Sequence, residues 1–462
     1  MVLFGATGDL ARRKLLPGLF HLAEAGLLPD GHRIVGVSRG GLSDDEFRAQ
    51  ARAAVEEFGR TDPKDGAWTA FAERLTYVEA DDSVALARAV ERAEAALGGS
   101  PRRLHYLSVP PGASADLVRS LGAAGLTERA RVILEKPFGT DLASAQALNA
   151  TVHEVFDEAQ VFRIDHFLGK EAVQNILALR FANGIFEPIW NRGFIDHVQI
   201  DVPETLSVGT RAEFYEATGA FRDMVVTHLF QVLGFVAMEP PTSLSPRALV
   251  GEKVKVFESL APLRPQDVVR GQYEGYRAED GVADDSDTET FVGVRAHVEN
   301  WRWEGVPFYL RTGKRLAQAR RVITIVFRDP PRRMFPELCR EDAAAQPNRL
   351  VLELGDPASI TTGFLAKVPG PSMRLAPATM GFSADEAFGT RDVLEAYERL
   401  IHDALLGDRT LFTRADGIER LWEVSAPALA RPGAVAPYAP GSWGPPAVDE
   451  LVAPRRWHLP DH

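Results

Sequence analysis

The sequence predicts a protein of two parts: an α/β doubly wound parallel sheet, then an α+β domain with a large, mainly antiparallel sheet and helices. Three observations predict it. Up to about residue 160, short apolar runs alternate with amphipathic stretches of helical period, as in βαβ units. A glycine-rich turn, Gly5-Ala6-Thr7-Gly8-Asp9-Leu10-Ala11, follows the first apolar run directly. From Asp196 onward, strand-like runs follow one another with few helices between them, which suits one antiparallel sheet half buried against helices.

Composition bounds the function. A chain of 462 residues is long enough for two or three domains with their own cores. Its net charge of −12 disfavours general affinity for nucleic acid, whose phosphates need a positive face. No run approaches the roughly 18 apolar residues of a membrane span, and the N-terminus lacks the basic-then-apolar layout of a signal peptide. The single cysteine, Cys339, excludes an internal disulfide and a cysteine-built metal site. These features predict a cytoplasmic protein without nucleic-acid or membrane partners.

Met1–Phe4 reads as the end of a strand and the glycine turn as the start of a helix reaching about Ala25. Small residues at Gly5, Gly8 and Ala11 allow the turn, close backbone approach to a pyrophosphate, and helix packing. That is a variant of the Rossmann dinucleotide fingerprint. Only four residues precede Gly5, so the first strand is short or the recorded start is late. A second strand, Arg33 to Val37, ends at Ser38-Arg39, where an NAD-specific fold usually carries an acidic residue. A basic Arg39 with Thr7 nearby favours a 2′-phosphate, hence NADP with NAD as the alternative.

Helices are expected at Asp44–Phe58, Val84–Leu97 and Ala113–Ala124, with strands at Leu75–Glu79, Leu104–Val109 and Arg131–Leu134. The strand Leu104–Val109 stops at Pro110-Pro111. The last of these strands ends in Glu135-Lys136-Pro137-Phe138-Gly139. There Lys136 lies over the crevice where ligands bind, and the Lys136–Pro137 bond is a candidate cis peptide. Thr140 or Asp141 caps a helix reaching Val155.

The stretch Arg163-Ile164-Asp165-His166-Phe167-Leu168-Gly169-Lys170-Glu171 follows an apolar run and precedes a helical pattern. A strand end meeting a helix start favours an anion, so His166 and Lys170 suit a phosphate. Asp165 suits orienting a second imidazole. The domain boundary is expected near residues 157–165, giving a dinucleotide domain over 1–160 and a substrate and oligomerisation domain over 161–462. The stretch then lies at a hinge, where small ligands bind.

Further on, a strand Asp196–Pro203 ends at Glu204, and a helical segment from about Glu213 to Met238 carries Arg222, Asp223 and His228. More strands are expected at Val268–Tyr276, Phe291–Val298, Phe308–Arg311, Val322–Phe327, Leu350–Leu354 and Ile360–Leu365, then helices at Ala384–Leu406 and Asp416–Leu429. Of Arg311, Lys314, Arg315, Arg320 and Arg321, at least two are expected to hold anions.

Taken together, these motifs resemble glucose-6-phosphate dehydrogenases along nearly the whole chain. The resemblance rests on Gly5–Lys14, Glu135–Gly139, Arg163–Glu171, Leu179–Asn183, Pro188–Arg192, Arg222-Asp223 with His228, Leu310–Lys314 and Gly441–Pro445. It implies oxidation of β-D-glucose 6-phosphate by NADP⁺, without a metal, in a homodimer or homotetramer. His228 would be the general base and Asp165 its partner. His166 and Lys170 would hold the sugar phosphate, with Arg320 near it. Lys136, Glu204, Asp223 and Lys314 would hold hydroxyls, Lys136 also lying near the nicotinamide. Gly5, Thr7, Gly8, Asp9, Leu10, Arg39 and Pro110 would line the coenzyme site.

Two positions depart from the family pattern. Phe167 stands where many relatives carry a tyrosine that touches the phosphate, and Gly355 where relatives place a sugar-contacting glutamine. Two other readings fit less well. Another two-domain sugar oxidoreductase with a Glu-Lys-Pro lysine leaves the 163–171 stretch and His228 unexplained. A non-catalytic NADP-binding regulator would have lost the base, yet Asp165, His228 and Lys136 are all present.

Overall fold

The computed structural model describes residues 1–80, 83–332, 334–335, 348–355, 358–389 and 393–458. Cys339 lies outside the described residues. The chain divides into two units. The first comprises Met1–Gly169, Pro241–Gly251 and Leu394–Glu419; the second comprises Lys170–Pro240, Glu252–Val393 and Arg420–His462.

The first unit is built on six parallel strands: β1 (Val2–Phe4), β2 (Ile34–Ser38), β3 (Leu75–Glu79), β4 (Arg103–Leu107), β5 (Ala130–Leu134) and β6 (Val161–Arg163). Their order is β3-β2-β1-β4-β5-β6, so the short β1 lies centrally, between β2 and β4. Near-continuous apolar runs are what a sheet covered on both faces requires, and Val2–Phe4 and Ile34–Val37 are buried throughout. Of the two caps expected for the helix after β5, Asp141 serves, accepting from the Ser144 amide at 2.8 Å; Ser43 forms a capping box with Glu46 at the helix after β2. The helix Ala396–Leu406 packs in this unit too. Its buried Glu398 meets His21 Nδ1 at 2.9 Å, and the Arg60 amide donates to His21 Nε2 at 3.2 Å, which fixes the ring between them.

His105 on β4 is fully buried, and its Nε2–H donates to the Leu126 carbonyl at 2.7 Å. Burial pushes its pKa down to about 4. The folded ring therefore binds fewer protons than the unfolded one between about pH 6.5 and pH 4. Its contribution is complete above that window and is lost as pH falls through it, by about 3 kcal/mol at most. Urea unfolding should show the wild type weakening from pH 7 to pH 5, and His105→Gln should flatten that fall. Equal pH dependence in the two proteins would contradict the assignment.

The second unit carries a nine-stranded sheet. Its strands are β7 (Ile195–Pro203), β8 (Val268–Tyr273), β9 (Phe291–His297), β10 (Pro307–Gly313), β11 (Val322–Phe327), β12 (Arg349–Glu353), β13 (Ser359–Lys367), β14 (Leu375–Ser383) and β15 (Val435–Tyr438). The order is β14-β13-β12-β11-β7-β10-β9-β8-β15, antiparallel except for β10 on β7 and β15 on β8. β14 and β15 were not expected from the sequence. Each contains a proline, Pro377 and Pro437, and each is an edge strand, where a missing N–H is tolerated.

Two helical expectations change. The expected helix Ala384–Leu406 is two: Ala384–Phe388 stops at Gly389 (φ 73°), and a second helix runs Ala396–Leu406. The expected helix from Glu213 to Met238 is three segments: an α-helix Ala212–Ala220 kinked at Gly219 (φ 68°), a π-helix Phe221–Leu229, and an α-helix Phe230–Ala237. Among the described residues, the run Gly209–Ala237 is long and apolar enough to span a bilayer by composition, yet 89% of its apolar window is buried inside the protein. It is a core element.

Candidate active site

In the first unit, the glycine turn closes over the ends of β1 and β4. Gly5 has φ 72°, and a Cβ there would lie 1.9 Å from the Ser108 carbonyl oxygen. The Gly5 and Ala6 amides both donate to the Val37 carbonyl, at 2.8 and 3.2 Å, and the Gly8 amide donates to the Gly5 carbonyl at 2.9 Å. Thr7, Gly8 and Asp9 are exposed, with Leu10 half-buried behind them. The Thr7 and Ser38 hydroxyls meet at 2.7 Å, linking the turn to the end of β2. Arg39 follows, exposed, in a loop pinned on both sides by the Tyr77 hydroxyl, which donates to the Ser38 carbonyl at 2.9 Å and to that of Gly40 at 2.7 Å. Pro110, exposed after β4, caps the helix Pro111–Ala123.

The expected coenzyme residues thus gather at the carboxyl ends of adjacent strands, beside a helix start. The left-handed glycine, the exposed Thr7–Asp9 turn and the exposed Arg39 guanidinium fit a dinucleotide carrying a 2′-phosphate. The unexpected feature is that the opening helix passes through a π-helical turn, Ala11–Leu15.

Beside this cradle lie the ends of β5 and β6. Lys136 is half-buried and the Lys136–Pro137 bond is cis. The Ile164 amide donates to the Leu134 carbonyl at 3.0 Å, which sets Asp165 level with Glu135 and Lys136. Asp165 is buried, and its Oδ1 accepts from the Phe167 amide at 2.9 Å. Glu135 accepts from the Tyr106 hydroxyl at 2.5 Å. Burial, reinforced by the charge of Asp165, pushes the Glu135 carboxyl up to about 7 against the pull of Tyr106 and Lys136. His166 is half-buried and stacks parallel to Tyr397, centroids 5.9 Å apart. Phe167 is buried, its ring centroid 5.0 Å from that of His166, so the ring packs against the imidazole without a hydroxyl. Arg163 plays a structural part: it is fully buried, bonding Glu158 at 2.8 Å and Asn149 at 2.9 Å.

The second unit brings two groups of expected residues together. Glu204 and Lys314 follow the paired parallel strands β7 and β10; the Glu204 amide donates to the Gly313 carbonyl at 2.9 Å, and Lys314 Nζ pairs with the Glu204 carboxylate. Lys314 Nζ lies 5.6 Å from the centre of the Tyr215 ring. Burial raises the Tyr215 hydroxyl far above its usual range, and the nearby Asp223 charge raises it further. Arg321 Nη2 approaches Glu204 at 3.8 Å.

In the second group, Lys170 Nζ donates to the Leu354 carbonyl at 3.5 Å, while Arg320 Nε bonds Glu353 at 2.6 Å, so both cations converge on the end of β12. At Gly355, next in the chain, a Cβ would meet nothing within 4 Å among the described residues. Arg311, by contrast, is core: it pairs with buried Asp201 at 2.6 Å and stacks on Trp457 at 4.0 Å.

Asp223 and His228 are both buried on the π-helix Phe221–Leu229. With i→i+5 bonding, residues five apart fall near one side. On an α-helix they would point about 140° apart. The following helix is anchored at its carboxyl end, where orphan carbonyls need donors. Arg180 donates to Phe235, Val236 and Met238, Trp190 to Val236 at 2.8 Å, and Trp303 to Ala237 at 2.8 Å. The motifs at 179–183 and 188–192 therefore hold the helix.

Residues 2–175 match the NAD binding domain of glucose-6-phosphate dehydrogenase and residues 177–458 match its C-terminal domain. This chain belongs to the glucose-6-phosphate dehydrogenase family. It is 43% identical to glucose-6-phosphate 1-dehydrogenase of Mycolicibacterium smegmatis, over 99% of this chain and 97% of the relative. It is 42% identical to glucose-6-phosphate 1-dehydrogenase 2 of Mycobacterium tuberculosis, over 100% and 94%. Among solved structures, a glucose-6-phosphate dehydrogenase in complex with glucose 6-phosphate superposes with a TM-score of 0.91 at 32% identity, covering 100% of this chain and 98% of that one. The two-part architecture read from the sequence, a doubly wound parallel sheet and then a large mainly antiparallel sheet with helices, is the one this chain adopts.

Tyr215, Tyr397, and Tyr106 with Glu135 were missed as neighbours of the site. Only Glu135 sat within a motif; the three tyrosines come from segments whose local pattern is ordinary.

Proposed function

We propose that this protein oxidises β-D-glucose 6-phosphate at its anomeric carbon to 6-phosphoglucono-δ-lactone. NADP⁺ is the coenzyme and accepts the hydride. The observation that carries the reading is the full-length family match combined with retention of Asp165, Lys136 and His228. His228 Nε2 or Nδ1 takes the proton of the anomeric hydroxyl, and Asp165 orients that imidazole and stabilises its charged form. His166, Lys170 and Arg320 hold the 6-phosphate, while Glu204, Asp223, Lys314 and Lys136 hold hydroxyls. Gly5, Thr7, Gly8, Asp9, Leu10, Arg39 and Pro110 hold the coenzyme, and Arg39 takes its 2′-phosphate.

The protein works in the cytoplasm as a homodimer or homotetramer. Half-exposed β13 and β14, with Met380 62% exposed, support a self-associating face.

Arg39→Ala tests the coenzyme assignment. The KM for NADP⁺ should rise about 10- to 100-fold, as expected for loss of a charge-assisted phosphate contact, while the KM for NAD⁺ stays within about threefold. An unchanged NADP⁺ KM would remove Arg39 from the 2′-phosphate site.

A further inference from the structure

We infer that Glu289 is a positioning residue for the reaction, clamping the start of the π-helix that carries Asp223 and His228. The inference rests on the functional reading above. The kink at Gly219 interrupts the backbone ladder between the helix Ala212–Ala220 and the π-helix, leaving the first amides beyond it in need of acceptors. Glu289 supplies both: its carbonyl accepts from the Ala220 amide at 2.9 Å, and its Oε1 accepts from the Phe221 amide at 3.0 Å.

The clamp is itself held. Arg270 on β8 donates to Glu289 Oε2 through Nη2 at 2.8 Å and Nε at 3.1 Å, and binds the Asp287 and Gly433 carbonyls, each at 2.9 Å. Glu289 is only 4% exposed, so its carboxylate is fixed in a poorly solvated place beside a cation. Gly219 lies against it: a Cβ there would stand 2.5 Å from Glu289 Oε1. The left-handed glycine and the carboxylate therefore require each other.

Glu289 also couples that helix to a second part of the sugar site. The next residue, Thr290, accepts from the Lys314 amide at 2.9 Å through its carbonyl. The Tyr438 hydroxyl donates to the Lys314 carbonyl at 2.7 Å and meets Thr290 Oγ1 at 3.0 Å. One short segment, Glu289-Thr290, thus sets both the helix bearing Asp223 and His228 and the strand end bearing Lys314. Loosening it should misplace the base and the sugar contacts together, without touching the coenzyme cradle of the other unit.

Glu289 also lines a surface pocket with Arg222, Arg270, Pro265, Val268 and Gly433. Truncation to alanine would enlarge that pocket beside Arg270, leaving room for a small carboxylate.

The test compares Glu289→Ala and Glu289→Gln with wild type by steady-state kinetics, with and without sodium acetate. Wild-type oxidation of glucose 6-phosphate must be seen first; its absence would sink the functional reading rather than the clamp. With wild type active, Glu289→Ala should lose tenfold or more in kcat with the NADP⁺ KM unchanged. Acetate should restore at least threefold of that loss, and Glu289→Gln, which keeps an acceptor for the Phe221 amide, should lie between the two. An unchanged kcat in Glu289→Ala would overturn the clamp. So would a loss that neither acetate nor glutamine relieves in a protein with wild-type circular dichroism. If Glu289→Ala does not fold, Gly219→Ala decides: a fall in kcat at constant NADP⁺ KM supports the clamp, and wild-type kcat overturns it.

Discussion

Replacing His228 by asparagine should lower kcat by about 10²–10⁴-fold, the usual contribution of a positioned general base, while the KM for glucose 6-phosphate stays within about threefold. His228 is fully buried on the π-helix, in the register that brings it to the side of Asp223. Asparagine is close in size and can still hydrogen bond, so packing is conserved. It cannot take a proton near neutral pH, and hydride leaves the anomeric carbon readily only as the hydroxyl proton departs. Steady-state kinetics with purified variant checks this, and a kcat within tenfold of wild type would remove His228 from the role of base.

Gly5→Ala should be the most damaging change in the first unit. Two effects act at once. The backbone at Gly5 is left-handed, which costs an L-residue about 1–2 kcal/mol. The added methyl would also stand 1.9 Å from the Ser108 carbonyl oxygen, a backbone atom that cannot swing aside. Relief requires the end of β1 to move away from β4, carrying with it the Gly5 and Ala6 amides that grip Val37. We expect a loss of about 2–4 kcal/mol in stability and at least a tenfold rise in the NADP⁺ KM. Gly8→Ala is the control for stability, because a Cβ there meets only the Gly5 carbonyl, at 3.1 Å. Thermal melts of both variants and coenzyme titration of Gly5→Ala check it. Equal thermal stability of the two variants would show that the close approach at Gly5 carries no weight.

Sequence reading succeeded where chemistry is written locally. A strand end, a glycine with a reason to be glycine, and a charged residue at the strand's carboxyl end are contiguous features, so Gly5–Ala11, Ser38-Arg39 and Glu135–Gly139 could be placed before any coordinates. The cis Lys136–Pro137 bond was foreseen on the same grounds. It failed where position depends on distant chain. Tyr397 reaches the ring of His166 from a helix more than two hundred residues later, and Glu289 reaches Phe221 from a loop before β9.

The π-helix was also invisible. Its apolar residues are buried nearly all round, so no periodicity distinguishes five-residue from four-residue bonding. Arg180 and Trp190 lie in motifs that carried the family resemblance without a role, and they satisfy the last carbonyls of the helix behind His228. In that place a buried guanidinium and an indole N–H hold that helix through its backbone.

The most direct test of the account is the rate of coenzyme reduction, followed by absorbance, at saturating glucose 6-phosphate with NADP⁺ and NAD⁺ in parallel. Rapid reduction of NADP⁺, with a higher kcat/KM than for NAD⁺, is the predicted result. Absence of reduction with either coenzyme by the folded protein would contradict the central claim.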